Sequence, residues 1–188
     1  MPKEDLHLNV GLISKESFQQ HHGFDLASTD KTPGDPAAPG MYHILRKTTV
    51  EEFSRKIALE KGLSPERIRF WLMINRQNKT VRPYVPLLGH DLTFEEALSK
   101  NSIKGDTFYL WLEVDEMAAE KPSTWPVGQA LKDSILVFLK YVDGLNLTVT
   151  GIGQHYVQAN DKAGDLVSHI NKIMKWPAET GILFLEVS

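Results

Sequence analysis

The chain contains no cysteine among its 188 residues. That absence excludes disulfides, thiolate zinc sites and a cysteine nucleophile within this chain. Long basic runs are also missing, and a net charge of −3 gives no footprint for nucleic acid or an anionic membrane. We therefore expect neither kind of partner.

The sequence also lacks an apolar stretch near the ~20 residues that a membrane span needs. Its charged start, Met1–Asp5, has no apolar signal-peptide core. An intracellular compartment is the expected default. The apolar and charged fractions, 41% and 24%, are those of a folded protein, and the length fits one ordinary domain or two small ones.

The first half of the chain alternates strand and helix patterns. Leu6–Ile13 alternates apolar and polar residues, which predicts a half-buried strand. Residues 14–40 end in a Pro- and Gly-rich run and predict a long exposed loop. Tyr42–Arg46 predicts a second strand. Thr48–Lys61 predicts a helix, with Gly62 as its left-handed C-terminal cap. Its start carries a capping box, either Thr49 with Glu52 or Thr48 with Glu51.

The next segment completes the strands and helices of one predicted module. Arg67–Ile74 alternates as a strand, Gln77–Pro86 is polar and Pro-bearing and predicts a loop, and Leu87-Leu88 is a candidate short edge strand. Thr93–Leu98 carries a second capping box, and Thr107–Val114 alternates again. One amphipathic helix against one sheet is the β-grasp plan of ubiquitin.

The plan then restarts after a change in composition. Residues 116–132 hold Met, Ala, Pro and Gly and predict a linker, which Trp125 could pin to a module. Ser134–Val142 and Leu147–Val157 predict strands around an Asp143-Gly144 turn, with a bulge at Gly151 and Gly153. Ala163–Lys175 predicts a helix. Ile182–Val187 predicts a third strand.

The predicted fold class is α+β, with two tandem ubiquitin-like β-grasp modules, the second incomplete at its C-terminus. The expected domains are residues 1–115, a linker at 116–132 and a truncated module at 133–188. The short helix and closing strand of the first module have no counterpart in the second. An open sheet edge there predicts a dimer through that edge.

Candidate chemical groups are few. His21-His22 brings no carboxylate at ligand spacing and is expected to be a surface pair rather than a metal site. His155 and His169 have no Ser, Cys or Asp partner that spacing supports, so we expect no catalytic role. The first-turn acid pairs of the two capped helices are explained by the helix dipole. We predict no catalytic, cofactor or metal residues, and therefore no enzyme in this chain.

A modest basic cluster surrounds the strand at Arg67–Ile74. It is either a solvated face or a docking patch for an acidic partner. Its members are Arg67, Arg69, Arg76, Lys79 and Arg82.

Several strings resemble the first ubiquitin-like domain of the herpesvirus-associated ubiquitin-specific protease family. They are Leu6–Val10, His22–Asp25, Tyr42–Lys47, Ile68–Trp71 with Arg82-Pro83, and Phe108–Asp115. Ile135–Asp143 is similar to the opening strand of that family's second ubiquitin-like domain. The resemblance covers nearly the whole chain, in order.

The resemblance implies a parent deubiquitinase, a cysteine protease whose catalytic domain would precede residue 1. The ubiquitin-like array would recruit protein partners and regulate that catalytic domain, in the nucleus and cytoplasm. No catalytic residue of the family has a matching segment here, and the family's acidic partner-binding stretch would lie beyond Ser188. The alternative is a tandem ubiquitin-like adaptor with no protease attached.

Overall fold

The computed structural model describes residues 6–29, 34–75, 80–89, 91–115 and 125–185. It contains two compact units. The first holds every helix and strand up to Val114, and the second holds every one from Gly128 onward, together with His22–Phe24. Within the described ranges, every helix is too short or too polar to cross a membrane.

A five-stranded mixed sheet forms the first unit. Its strands are β1 (His7–Ile13), β2 (Gly40–Leu45), β3 (Ile68–Asn75), β4 (Val81–Pro86) and β5 (Thr107–Val114). They lie in the order β2-β1-β5-β3-β4. The central pair β1–β5 is parallel, and the other neighbours are antiparallel. This topology, crossed by one long helix, confirms the β-grasp prediction for this unit.

The long helix α2 (Val50–Lys61) covers one face of the sheet. Of the two capping boxes that the sequence allowed, Thr49 with Glu52 forms. Gly62 ends the helix at a φ of +66°, where a side chain would be strained. Alternate strand residues pack beneath it with Phe53 and Ile57. The period-two pattern of the strands thus put their apolar sets on the helix side.

The opposite face is also covered, which corrects the prediction of an exposed loop at residues 14–40. Helix α1 (Lys15–Gln20) begins at Ser14, whose side chain accepts from the Ser17 N–H. Phe18 is fully buried and packs edge-on against Trp111 at 5.8 Å. The loop also buries Leu26. The prediction was wrong because β1, β3 and β5 are apolar on both faces at this end and need a second layer.

The segment predicted as a loop at Gln77–Pro86 contains strand β4; residues 76–79 lie outside the described residues. Pro83 and Pro86 misled the prediction, because proline cannot donate to a ladder. β4 lies at the edge of the sheet, where the nitrogen of a proline, which has no N–H, can face away from the neighbouring strand. The candidate edge strand at Leu87-Leu88 was therefore misplaced by a few residues.

Helix α3 (Phe94–Lys100) starts beside helix α2. Its capping box, Thr93 with Glu96, is as predicted. Thr49 and Thr93 form an antiparallel bridge, and the N–H of Phe94 donates to the Thr48 carbonyl at 3.1 Å. Each helix start thus fixes the other.

The second unit contains a hairpin and two helices. Its elements are α4 (Gly128–Lys132), β6 (Ser134–Asp143), β7 (Thr148–Gln158) and α5 (Asp165–Met174). The pairing of β6 with β7 leaves Ile152 without a partner between Gly151 and Gly153, which confirms the predicted bulge. α4 lies inside the predicted linker, whose residues 116–124 are outside the described residues.

The strand predicted at Ile182–Val187 does not form in its described part, residues 182–185. Leu183 and Leu185 are exposed there. In the first unit the equivalent strand, β3, joins β1 only through β5. Among the described residues of the second unit, no strand lies beside β6 as β5 lies beside β1. The predicted third strand therefore has no partner to pair with, and the prediction was wrong.

Candidate interaction surface

The structure places Arg69 of the predicted basic cluster in the interior. Its side chain is 7% exposed, and its Nε donates to Glu113 at 2.8 Å. The indole N–H of Trp71 donates to the same carboxylate oxygen at 2.9 Å. A buried arginine paired in this way holds the sheet's outer face together and is not available to a docking partner.

Arg82 and Arg67 are also engaged. Arg82 donates to the Asp25 carboxylate at 3.3 Å, and the N–H of Val81 reaches the same group. Arg67 donates to the Asp115 carbonyl beside the end of β5. These arginines tie β4 and the start of β3 to neighbouring loops. Arg76 and Lys79 lie outside the described residues, so the five-residue docking patch stays a prediction.

A different surface is open at the β2 side of the sheet. Met41 and Leu45 are 60% and 53% exposed on the outer face. Between them His43 stacks on His7, with ring centroids 4.5 Å apart, and shares a 3.0 Å hydrogen bond with the Asn9 side chain. Two large apolar side chains thus flank a polar centre.

The same face explains a glycine in β1. A Cβ at Gly11 would come within 2.4 Å of the Tyr109 ring. Gly11 therefore lets Tyr109 lie flat across β1 toward Met41. The Tyr109 ring covers the outer face of β1 at this end, and α1 covers the outer face at the other end.

Tyr42 lines the helix side of the same strand. Its ring packs edge-on against Phe53 at 5.4 Å, and its hydroxyl donates to Glu60 at 2.8 Å. Lys56 Nζ lies 5.2 Å from the ring centroid. Burial, reinforced by the Glu60 carboxylate, raises the pKa of Tyr42 to about 12, so the phenol remains a donor at neutral pH.

The acidic residues and histidines considered as catalytic or metal-binding groups make structural contacts. Glu52 and Glu96 accept at helix starts, and the Thr93 amide and hydroxyl hold the pKa of Glu96 below its usual range. His155 contacts His169 at 4.2 Å between centroids, a pairing that spacing did not predict. Within the described ranges, no three His, Asp or Glu side chains are grouped to hold a metal ion.

Sequence reasoning missed the surface along β2. Its signal was the contrast between two segments, since Pro83 and Pro86 interrupt one and Tyr42–Leu45 contains no proline. That contrast has meaning only once both strands are known to be edges.

The first unit belongs to the class of ubiquitin-like β-grasp domains, as its strand order shows. Residues 68–188 match the family described as the ICP0-binding domain of ubiquitin-specific protease 7. The match covers more than half of the chain, and the chain belongs to this family.

Curated relatives are ubiquitin hydrolases. The chain is 27% identical over 157 residues to ubiquitin carboxyl-terminal hydrolase 5 of Schizosaccharomyces pombe, covering 84% of this chain and 14% of that protein. It is 28% identical over 177 residues to ubiquitin C-terminal hydrolase 12 of Arabidopsis thaliana, covering 92% and 15%. The chain thus spans about one seventh of the length of these relatives.

The similarity of this chain to solved structures is low. A de novo design based on ubiquitin is 14% identical, covering 62% of this chain and 99% of the design, with a TM-score of 0.31. Similarity at that level carries no argument, and the fold assignment rests on the strand order and the helix that crosses the sheet.

Proposed function

We propose that this chain is a non-catalytic ubiquitin-like array of a ubiquitin-specific cysteine protease. The observation that carries the proposal is the family match over residues 68–188. The array recruits protein partners or substrates and regulates the catalytic domain of the same protein. This role belongs in the nucleus and cytoplasm, where such a protease meets ubiquitinated proteins.

The arrangement of the first unit supports a binding role. Its sheet is closed by helix α2 on one face and partly by α1 on the other, which makes a rigid frame. The β2 side presents exposed apolar groups on that frame. Rigid elements with a local exposed patch are suited to docking a protein.

The proposal is tested with two proteins. The isolated chain, incubated with a fluorogenic ubiquitin substrate, is expected to show no turnover. The full-length protease lacking this segment is expected to cleave the simple substrate with an altered kcat/KM and to lose cleavage of partner-delivered substrates in cells. Turnover by the chain alone contradicts the first part. An unchanged deletion protein contradicts the second part, the recruiting and regulatory role.

The open hairpin of the second unit is the proposed site of self-association. Among the described residues, β6 and β7 pair only with each other, so each has an unpaired edge. Ile135 and Val142 on β6 are about half exposed. A rise in apparent mass with concentration, measured by sedimentation, is expected. Monomeric behaviour throughout the series would contradict a dimer.

A further inference from the structure

The two edges of the five-stranded sheet differ in their ability to accept another strand. β4 contains Pro83 and Pro86, which remove two backbone donors from that side. β2 runs from Gly40 to Leu45 without a proline. Unprotected edges are the natural sites for strand addition, so β2 is the edge at which a further strand can pair.

The orientation of the β2 peptide groups follows from one hydrogen bond. The N–H of Arg46 donates to the Leu6 carbonyl at 2.9 Å, and the pairing with β1 continues in register to Gly40. In an antiparallel ladder, alternate residues face the partner strand. Ile44 and Tyr42 therefore face β1. Met41 and His43 direct their N–H and carbonyl groups away from the sheet.

Side chains on both faces would meet an added strand. On the outer face, Met41 and Leu45 offer exposed apolar surface on either side of His43. On the helix face, the half-buried Tyr42 ring lies beside Lys56 of α2. An added strand with alternating side chains would contact both faces at once, because successive residues point to opposite sides.

Both signs of charge lie at this edge. Arg46 is paired with Asp106, and Glu60 accepts from Tyr42. Lys47 is the second residue after the end of β2 and is exposed. Within the described ranges neither Lys47 nor Lys56 is in an ion pair. These two lysines are the positive groups at the edge that acidic residues of a partner can meet.

We propose that β2 docks an extended peptide segment of a protein partner, which adds as a sixth strand. The segment has apolar side chains at alternate positions and acidic residues that face Lys47 and Lys56. Its backbone bonds to the outward groups of Met41 and His43 provide affinity, and the side-chain contacts provide specificity. The proposal deepens the recruiting role given above and names the surface for it.

The experiment uses the whole chain and a blocked octapeptide. The peptide has valine at alternate positions and glutamate near both of its ends. Binding is followed by amide chemical shifts and hydrogen exchange. The amides of Met41 and His43 are expected to shift and to exchange more slowly in the complex. A matched peptide with N-methylated backbone amides on its pairing side should not bind, and a matched peptide with lysine in place of glutamate should bind more weakly.

Two pairs of variants identify the edge. His43→Pro removes one outward donor and leaves the backbone bonds to β1 intact, and its binding should be about tenfold weaker. His43→Ala, which keeps that donor, should bind nearly as the native chain does. Lys56→Glu should weaken binding roughly fivefold, whereas Lys100→Glu on α3 should not.

Three results with the peptide overturn the proposal, as does one result without it. The peptide can fail to bind, its perturbations can map to β4 or to the second unit, or a folded His43→Pro can bind as well as His43→Ala. Should His43→Pro fail to fold, the exchange data on the native chain and the lysine variants decide. Concentration-dependent protection of Met41 and His43 without peptide would assign the edge to a second copy. Peptide binding is measured without a protease, so its failure leaves the deubiquitinase test unaffected.

Discussion

The two units share a plan, in which a hairpin is followed by a helix, but they differ in what lies beside their first strand. In the first unit β1 is held between β2 and β5, and its residues Leu8, Val10 and Ile13 have no exposed surface. In the second unit β6 pairs with β7 alone among the described residues, and none of its side chains is fully buried. The parallel partner of the first strand is thus what closes a core of this type.

The units also differ in how their helices start. Both α2 and α3 begin with a capping box, and they brace each other through the Thr49–Thr93 bridge. Helix α5 begins at Gly164 without a side-chain cap. Asn171 of α5 is buried and donates to the Ala178 and Thr180 carbonyls, which holds the following turn. The second unit relies on such local contacts where the first relies on a sheet.

Hydrogen exchange should show the largest difference between the units. Amides of β1, β3 and β5 are expected to exchange at least about a thousandfold more slowly than those of β6 and β7, because isolated hairpins are marginally stable. The measurement is native-state exchange followed by NMR. Equal protection in both units would mean that the hairpin is stabilised as strongly as the closed sheet.

Removing the second layer of the first unit should give the next largest effect. Phe18→Ala deletes a fully buried ring that contacts Trp111, and we expect a loss of about 3–5 kcal/mol in the free energy of unfolding. Urea denaturation of the first unit measures it. Tyr84→Ala, at a 51% exposed position on β4, is the control and should cost little. A small loss for Phe18→Ala would show that α1 is not part of the core.

The helix caps allow a smaller and more local test. Thr49→Ala and Thr93→Ala should each lower the stability of the first unit by about 1 kcal/mol, since each removes a side-chain acceptor from a helix start. Thr→Ser at either position keeps the hydroxyl and should retain most of the stability. Thermal unfolding of the four variants checks this. Because the two starts share a bridge, a double Thr→Ala variant should depart from additivity.

The smallest expected effect is a pH dependence confined to the second unit. Burial, and secondarily the neighbouring His169, lower the pKa of His155, while Asp161 opposes this. The unfolded chain therefore binds the proton first. The stability of the unit is complete above the unfolded pKa of about 6.5 and falls as pH drops toward the folded pKa.

Unfolding of the second unit, followed by NMR between pH 7.5 and pH 5, measures that dependence. His155→Gln should flatten the profile. The first-unit profile should not respond to this change. A native profile that rises toward low pH would contradict the assigned sign.

Much of the first unit could be predicted because its signals are local. Strand β5 follows directly from strict alternation in Thr107–Val114, and α2 follows from Thr49, Glu52 and Gly62. Strand β4 could not be predicted in the same way, because Pro83 forbids a central strand but not an edge strand. Which strand is an edge is a property of the whole sheet.

The candidate site shows the same division. The basic cluster was identified by charge alone, and the structure buries Arg69 against Glu113, a residue 44 positions away. Composition could not predict that pairing. The β2 surface, by contrast, has an unremarkable sequence, and the peptide groups that it directs away from the sheet depend on the register with β1.

The sequence by itself determined the alternation of the strands, the helix caps, the bulge at Gly151–Gly153 and the absence of a cysteine nucleophile. These features depend on neighbours within a few residues, where propensity and periodicity act. The tertiary structure alone decided that α1 covers a second face, that Arg69 is buried and that β2 directs peptide groups away from the sheet. Each of these depends on strands distant in the chain, because only their pairing settles which faces and edges meet water.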